Sequence, residues 1–168
     1  MILRWNITHK ATVWNFKQSA DKMKKRERGA PLSPEATHKK KRDPNDPCLF
    51  CTDSRGVSVQ HELVYSARDS YPTSPGHTLV IPRRHVASFF DLTPEEVAAC
   101  MALIKEAKKH IDEEFNPDGY NIGVNVGPAA GQSIFHVHIH IIPRYKGDVE
   151  NPQGGVRHVI PKNGYYTR

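Results

Sequence analysis

The sequence predicts an antiparallel α+β domain, and three observations carry that prediction. Four short segments of strand-like apolar patterning are separated by turn-rich connections. One long amphipathic stretch with helix-capping residues stands between the first pair of segments and the second. All of these elements follow residue 47, where the composition changes. Strands, one helix, then strands again is the order of antiparallel α+β folds, not of alternating β–α–β ones.

Residues 1 to 47 carry 12 Lys+Arg against 5 Asp+Glu, whereas the rest of the chain carries 12 against 13. The pI of about 9.3 therefore belongs to this first segment. Two basic clusters, KMKKRER and HKKKR, flank a Pro/Ser/Ala stretch, a composition with too little apolar surface to fold, so it reads as a disordered extension. Clustered Lys and Arg could contact nucleic-acid phosphates or act as an import signal, but a solvated extension is the favoured reading. Trp5, Trp14 and Phe16 could pack as a short amphipathic turn.

The folded domain is expected over 48–168. Residues 61–67 and 77–83 read as strands joined by DSYPTSPG, whose Pro, Gly, Ser and Asp favour turns. A helix follows: Thr93 can cap it, Pro94 suits its first position, and Glu95 and Glu96 favour its dipole. Val97, Cys100, Met101, Ile104, Ile111 and Phe115 are expected on its buried face. Residues 120–126 and 134–142 complete the strands, joined by GPAAGQ.

At 168 residues, 38% hydrophobic and 25% charged, the chain reads as one soluble globular domain. No segment approaches the roughly 18 apolar residues of a membrane span, and Met1 does not open an export signal. Three cysteines, two of them as Cys48-x-x-Cys51, do not make an extracellular disulfide framework, so a reducing cytoplasmic setting is expected.

Within 134–142, His136, His138 and His140 alternate with Val137, Ile139 and Ile141. Strand geometry would send the histidines to one face and the aliphatics to the other. Imidazoles about 7 Å apart along a strand could share a metal, but a neutral histidine is also a nucleophile toward phosphorus, with a neighbour able to hydrogen-bond the attacked group. The preceding loop suits an anion: Gly127 and Gly131 allow close backbone approach, and Gln132 and Ser133 offer side-chain donors. His61, His110 and His158 fall in no motif and read as surface or satisfied residues.

His136-Val-His138-Ile-His140-Ile-Ile-Pro-Arg144 resembles the defining motif of the histidine triad (HIT) family of nucleotide hydrolases and transferases. PGH at 75–77, FFDLTPEE entering the helix, and Asn125 with GPAAGQS ahead of the triad resemble the family pattern in order and spacing, over roughly residues 48–148. The resemblance implies a HIT-like fold, an antiparallel sheet of about five strands with one main helix, paired in a homodimer. It implies a two-step reaction in which His138 attacks an α-phosphate and water hydrolyses the nucleotidyl-histidine. His140 would bond near the phosphate, and His77 would orient the nucleophile. Gln132 and Ser133 would contact phosphate or leaving group, Asn125 the α-phosphate region, and Asp69 the ribose hydroxyls, whose two donors a carboxylate can accept. Asp69 also suits a turn.

His140, where a glutamine would resemble the hexose-1-phosphate uridylyltransferases, points to the hydrolases. Pro143-Arg144 followed by Lys146-Gly147-Asp148 resembles the dinucleoside polyphosphate hydrolase (fragile histidine triad-like) branch, with Arg144 expected at the extra phosphates. The expected activity is hydrolysis of dinucleoside polyphosphates of the Ap3A or Ap4A type to a nucleoside monophosphate. Purine nucleoside phosphoramidate cleavage, or nucleotide binding with little turnover, are the alternatives. Cys48 and Cys51, ambiguous alone between a zinc half-site, a redox pair and unrelated thiols, resemble the family's structural zinc pair, which with His85 and His136 would close a Cys₂His₂ site. From about residue 149 the chain resembles a C-terminal extension, in which Arg157, Tyr165 and Tyr166 could help select substrate.

Overall fold

The computed structural model describes residues 48–52 and 57–166; the basic extension expected over 1–47 lies outside them. The described chain runs α1 (Leu49–Thr52), β1 (Val57–Gln60), β2 (Val64–Arg68), β3 (Thr78–Pro82), α2 (Pro94–Phe115), β4 (Gly119–Val124) and β5 (Ile139–Arg144). Single 3₁₀ turns occupy Phe89–Asp91, Pro128–Ala130, Gly155–Val159 and Pro161–Asn163. The strands form one antiparallel sheet in the order β1-β2-β3-β5-β4. The expected class, a five-stranded antiparallel sheet with one main helix, is the observed one.

The sheet separates two apolar clusters. Val64, Val80, Ile139 and Ile141 meet Leu103, Ile104 and other residues of α2 in one; Phe50, Tyr65, Ala67, Leu79 and Ile81 form the other. Because side chains alternate along a strand, Ile139 and Ile141 face the helix, while His140, paired with Leu79 and Gly123, faces the opposite way.

α2 starts as its sequence implies. Thr93 Oγ1 accepts the Glu96 N–H at 3.2 Å, and Glu96 accepts the Thr93 N–H at 2.9 Å, a reciprocal capping box. Glu96 is buried at 5% exposure because Arg84, just past β3, grips its carboxylate with two bonds of 2.8 and 2.7 Å. That fork ties the end of β3 to the helix start. The buried stripe is Glu96, Ala99, Cys100, Leu103, Ile104, Ala107 and Ile111. Met101, expected inside, is 43% exposed; Ala99 and Ala107 hold the intervening stripe positions, where their small side chains let the helix approach the sheet.

Several strand limits differ from expectation: β2 begins at Val64 and not at residue 61, and β4 ends at Val124 and not at residue 126. β1 was not among the predicted segments: it is a four-residue edge strand with a register break between Val57 and Val59, too short to show a pattern. The strand expected over 134–142 begins at Ile139 and runs to Arg144. Its ladder to β3 ends at Ile141. Pro143 lies beyond that ladder, with its carbonyl taken by the Ser74 hydroxyl at 2.7 Å, so its missing N–H removes no rung.

Gly76 has φ +81°, and a Cβ there would lie 2.9 Å from the Phe115 ring and 3.2 Å from Pro143. Gly76→Ala is therefore expected to cost about 2 kcal/mol or more through combined backbone strain and overpacking, read as a lowered urea midpoint at unchanged slope. A midpoint equal to the parent protein's would refute it.

Candidate active site and metal centre

His138 is 7% exposed and its Nδ1 lies 2.8 Å from the His136 carbonyl oxygen. That oxygen can only accept, so Nδ1 carries the proton and Nε2 keeps a lone pair. A second chain of bonds runs beside it. The Thr73 N–H donates to His77 Nδ1 at 3.3 Å, which leaves the proton of a neutral His77 on Nε2, 3.0 Å from His140 Nδ1. His140 Nδ1 then accepts, and its own N–H sits on Nε2. The rings of His138 and His140 meet edge to face at 5.0 Å. One imidazole thus presents a lone pair beside another that presents a donor.

Burial favours the neutral forms of His77 and His140. His140 is pushed down to about 4, chiefly by burial and then by the facing His138 and His77. His77 is lowered by burial, with Asp69 opposing. The sign of the stability effect follows directly. Between the ordinary value of 6.5 and the depressed one, an unfolded chain binds protons that the folded site does not, so stability is present above 6.5 and is lost as pH falls through this window. His140 is expected to contribute at most about 2 kcal/mol of loss between pH 7.5 and pH 5. Urea titrations at the two pH values check this: His140→Gln should flatten the difference by that amount, and an unchanged difference refutes it.

The other expected site residues divide. Asp69 accepts the Tyr71 N–H at 2.8 Å on one oxygen and sets the other 3.6 Å from His77 Nδ1. It is therefore both a turn residue and a neighbour of the histidines. Half-buried Asn125 lines, with Thr73, His77 and His140, a cleft of about 550 Å³. Ser133 is exposed. The Gln132 amide donates to Ala87 O at 2.7 Å and Ile134 O at 3.2 Å and accepts the Gly127 N–H at 2.7 Å. It braces the glycine loop from inside and has no donor left over. Arg144 is not brought to the histidines. Asp148 holds it by two bonds of 2.7 and 2.8 Å, and Asn121 takes a third, in an adjoining cleft at the end of β4 and β5 that shares Asn121 and Gly155 with the histidine cleft.

Cys48, Cys51, His85 and His136 do converge, with one ligand atom from each all within 4.8 Å of one another. Cys48 Sγ and Cys51 Sγ lie 3.4 and 3.5 Å from His136 Nδ1, and Cys51 Sγ lies 3.3 Å from His85 Nδ1. Bonds of about 2.3 Å to sulfur and about 2.0 Å to nitrogen place S and N about 3.5 Å apart across a tetrahedron, so the set is already at metal-binding spacing. The second ring nitrogen agrees. His136 Nε2 lies 2.7 Å from the Pro82 carbonyl and must donate to it, which leaves Nδ1 unprotonated toward the thiols. These four residues could hold a metal ion.

Three contributors escaped the sequence reading. The Thr73 N–H and the Pro82 carbonyl are backbone groups and leave no side-chain signal. Phe50, between the two cysteines, is buried against His138 at a ring separation of 5.0 Å; its place in Cys-x-x-Cys was the available clue.

Comparison with known proteins agrees with this architecture. The model of the HIT domain family matches residues 54–147. An "AP-4-A phosphorylase" of Mycobacterium tuberculosis is 40% identical over 99 residues, covering 58% of this chain and 51% of its own, so the chain spans about half the length of that relative. A HIT family protein from Bacillus anthracis superposes with a TM-score of 0.58 at 32% identity, over 73% of this chain and 81% of its own. A Zn-bound histidine triad family protein from Mycobacterium smegmatis gives 0.57 at 34% identity, over 62% and 79%.

Proposed function

Because the chain belongs to the HIT domain family, we propose that it is a nucleotidyl hydrolase that cleaves dinucleoside polyphosphates at the α-phosphate through a covalent intermediate on His138. The observation that carries this reading is the 2.8 Å bond from His138 Nδ1 to the His136 carbonyl, which leaves Nε2 as a nucleophile beside the His140 donor. Nε2 attacks the α-phosphorus as the bridging P–O bond breaks and its electron pair leaves on the departing polyphosphate. The N–H of His140 hydrogen-bonds a phosphate oxygen where charge gathers. His77 holds His140 in the required tautomer. Water then attacks phosphorus, the P–N bond breaks, the pair returns to Nε2, the water's proton passes to solvent and a nucleoside monophosphate departs. The Ser133 hydroxyl serves the leaving group, Asn125 the α-phosphate region, and the Asp69 carboxylate the ribose. Gln132 acts through the loop it braces, and Arg144 through its clamp on Asp148.

The 40% identity to a protein named as a phosphorylase favours one second reading, in which phosphate replaces water as acceptor and the product is a nucleoside diphosphate. Chromatography of the products from diadenosine triphosphate, diadenosine tetraphosphate and an adenosine phosphoramidate, each with and without inorganic phosphate, separates these readings. AMP without phosphate supports hydrolysis and ADP formed only with phosphate supports phosphorolysis. Preference for the phosphoramidate would favour the purine nucleoside phosphoramidase alternative, and no release from any substrate overturns the enzymatic reading.

The metal assigned to Cys48, Cys51, His85 and His136 is zinc, on the closed S₂N₂ donor set, where it would supply structure and not chemistry. The edge of β4, which pairs with no further strand among the described residues and exposes Ile122, supports a homodimer, and the thiol chemistry supports a cytoplasmic setting. Among the described residues no helix is long and apolar enough to cross a membrane. The catalytic domain is assigned to 48–168, so removing residues 1–44 is expected to leave kcat/KM within about twofold, since the mechanism draws nothing from them; a large loss in the same assay would refute that boundary.

A further inference from the structure

We propose that Phe50 is a positioning residue for the nucleophile, and that the four-ligand cluster, by fixing the turn that carries Phe50, governs the orientation of His138. The proposal rests on the reading of His138 as nucleophile and deepens it.

Phe50 sits in α1, a single turn of four residues. A helix of that length has no stability of its own, so its position comes from what ties it down. Three ties are present. Cys48 Sγ and Cys51 Sγ, at its two ends, converge on His136 Nδ1 at 3.4 and 3.5 Å. The Phe50 carbonyl accepts the Tyr65 hydroxyl at 2.8 Å from β2. The Phe50 ring is 6% exposed and meets two histidines at once: His136 edge-on at 5.8 Å and His138 at 5.0 Å with a 56° tilt. The cysteines and the nucleophile therefore share one rigid side chain between them.

The effect on His138 is specific. Its useful state needs Nδ1–H on the His136 carbonyl and Nε2 free. A half-turn of the ring would break that bond and put carbon where Nε2 belongs. Phe50 packs against one side of the ring and His140 meets it from another at 5.0 Å, so close packing opposes the turn. The carbonyl partner also belongs to His136, a member of the cluster. Loosening the cluster thus acts on the nucleophile twice, through the packed ring and through the hydrogen-bond acceptor.

The test uses the full chain with zinc bound. Phe50→Leu keeps an apolar side chain and loses the flat ring; Phe50→Ala removes both, and a thermal melt reports whether each folds. The readouts are zinc per chain, kcat and KM separately, and the ¹⁵N shifts of the His138 ring, which report its tautomer. Phe50→Leu is expected to retain zinc, to lower kcat about tenfold with KM within about twofold, and to shift the His138 nitrogens from a single Nδ1–H form toward a mixture. Stripping zinc from the parent protein with a chelator is expected to produce the same spectral shift, reversed on reloading. A folded, zinc-loaded Phe50→Leu with unchanged kcat and tautomer overturns the proposal, as does a rise in KM alone, which would make Phe50 a wall of the nucleotide site. A chelated protein that keeps the single tautomer overturns the link to the cluster. If the parent protein turns over no nucleotide, the function reading fails while the tautomer experiment still decides this one.

Discussion

His138→Asn is expected to lower kcat by roughly 10⁴-fold or more, because it removes the only atom that forms the covalent intermediate. Asparagine is the informative replacement. Its amide N–H can still reach the His136 carbonyl that now lies 2.8 Å from His138 Nδ1, so the acceptor in that nearly closed position keeps a donor and the fold should survive. His140→Asn is expected to lose less, about 10²- to 10³-fold, since it removes one hydrogen bond to developing charge and leaves the nucleophile in place. An alkaline denaturing quench, chosen because the P–N bond of a nucleotidyl-histidine is labile in acid, of the enzyme mixed with dinucleoside polyphosphate radiolabelled at the α-phosphate should trap label on the parent protein and none on His138→Asn. Full turnover in that variant would sink the mechanism, and label trapped on it would show a different nucleophile.

The double variant Cys48→Ser, Cys51→Ser is expected to lose the metal completely, from about one zinc per chain, and to melt roughly 10 °C lower. The cluster geometry explains the size of the effect. His136 is fully buried, its Nε2 is committed to Pro82 O, and its Nδ1 faces two thiols. Burial and the adjacent Cys48 push the Cys51 thiol up; a bound dication would oppose that shift, because it binds the thiolates. Elemental analysis and a melt, before and after chelation of the parent protein, check both parts. Protein isolated metal-free, or a double variant with unchanged melting, would refute the assignment.

Much of the fold was legible because it rests on local signals. The capping residues Thr93, Pro94 and Glu96 marked the start of α2 without any tertiary information. The alternation of His138, Ile139, His140 and Ile141 sorted those side chains to opposite faces. The errors arose where neighbours decide. Helix phase was misjudged at Met101, because size and apolarity outweighed the small Ala99 and Ala107 that close packing selects. The start of β5 was placed too early, because residues 134–138 carry strand-like side chains yet follow a bent backbone. The convergence of Cys48, Cys51, His85 and His136 from three distant segments was legible only through the family resemblance, because Cys-x-x-Cys alone fits a zinc half-site, a redox pair or unrelated thiols. The bonds that Gln132 and Arg144 make within the chain were not legible for one reason: a donor's type shows in the sequence, but its engagement by Ala87, Ile134 or Asp148 does not.

The late start of β5 has its own meaning for the reaction. In a regular ladder every carbonyl belongs to a neighbouring strand, and the one at His136 would be shared with, or lost to, a sheet bond. Instead the sheet stops short: Val137 bonds sideways to Val86 at 2.8 Å, and the carbonyl before it is released to fix one proton on His138. The five residues without β-structure, 134–138, thus leave the acceptor that puts the lone pair of His138 on Nε2, so under the proposed mechanism a variant that completed the strand would gain order and lose turnover.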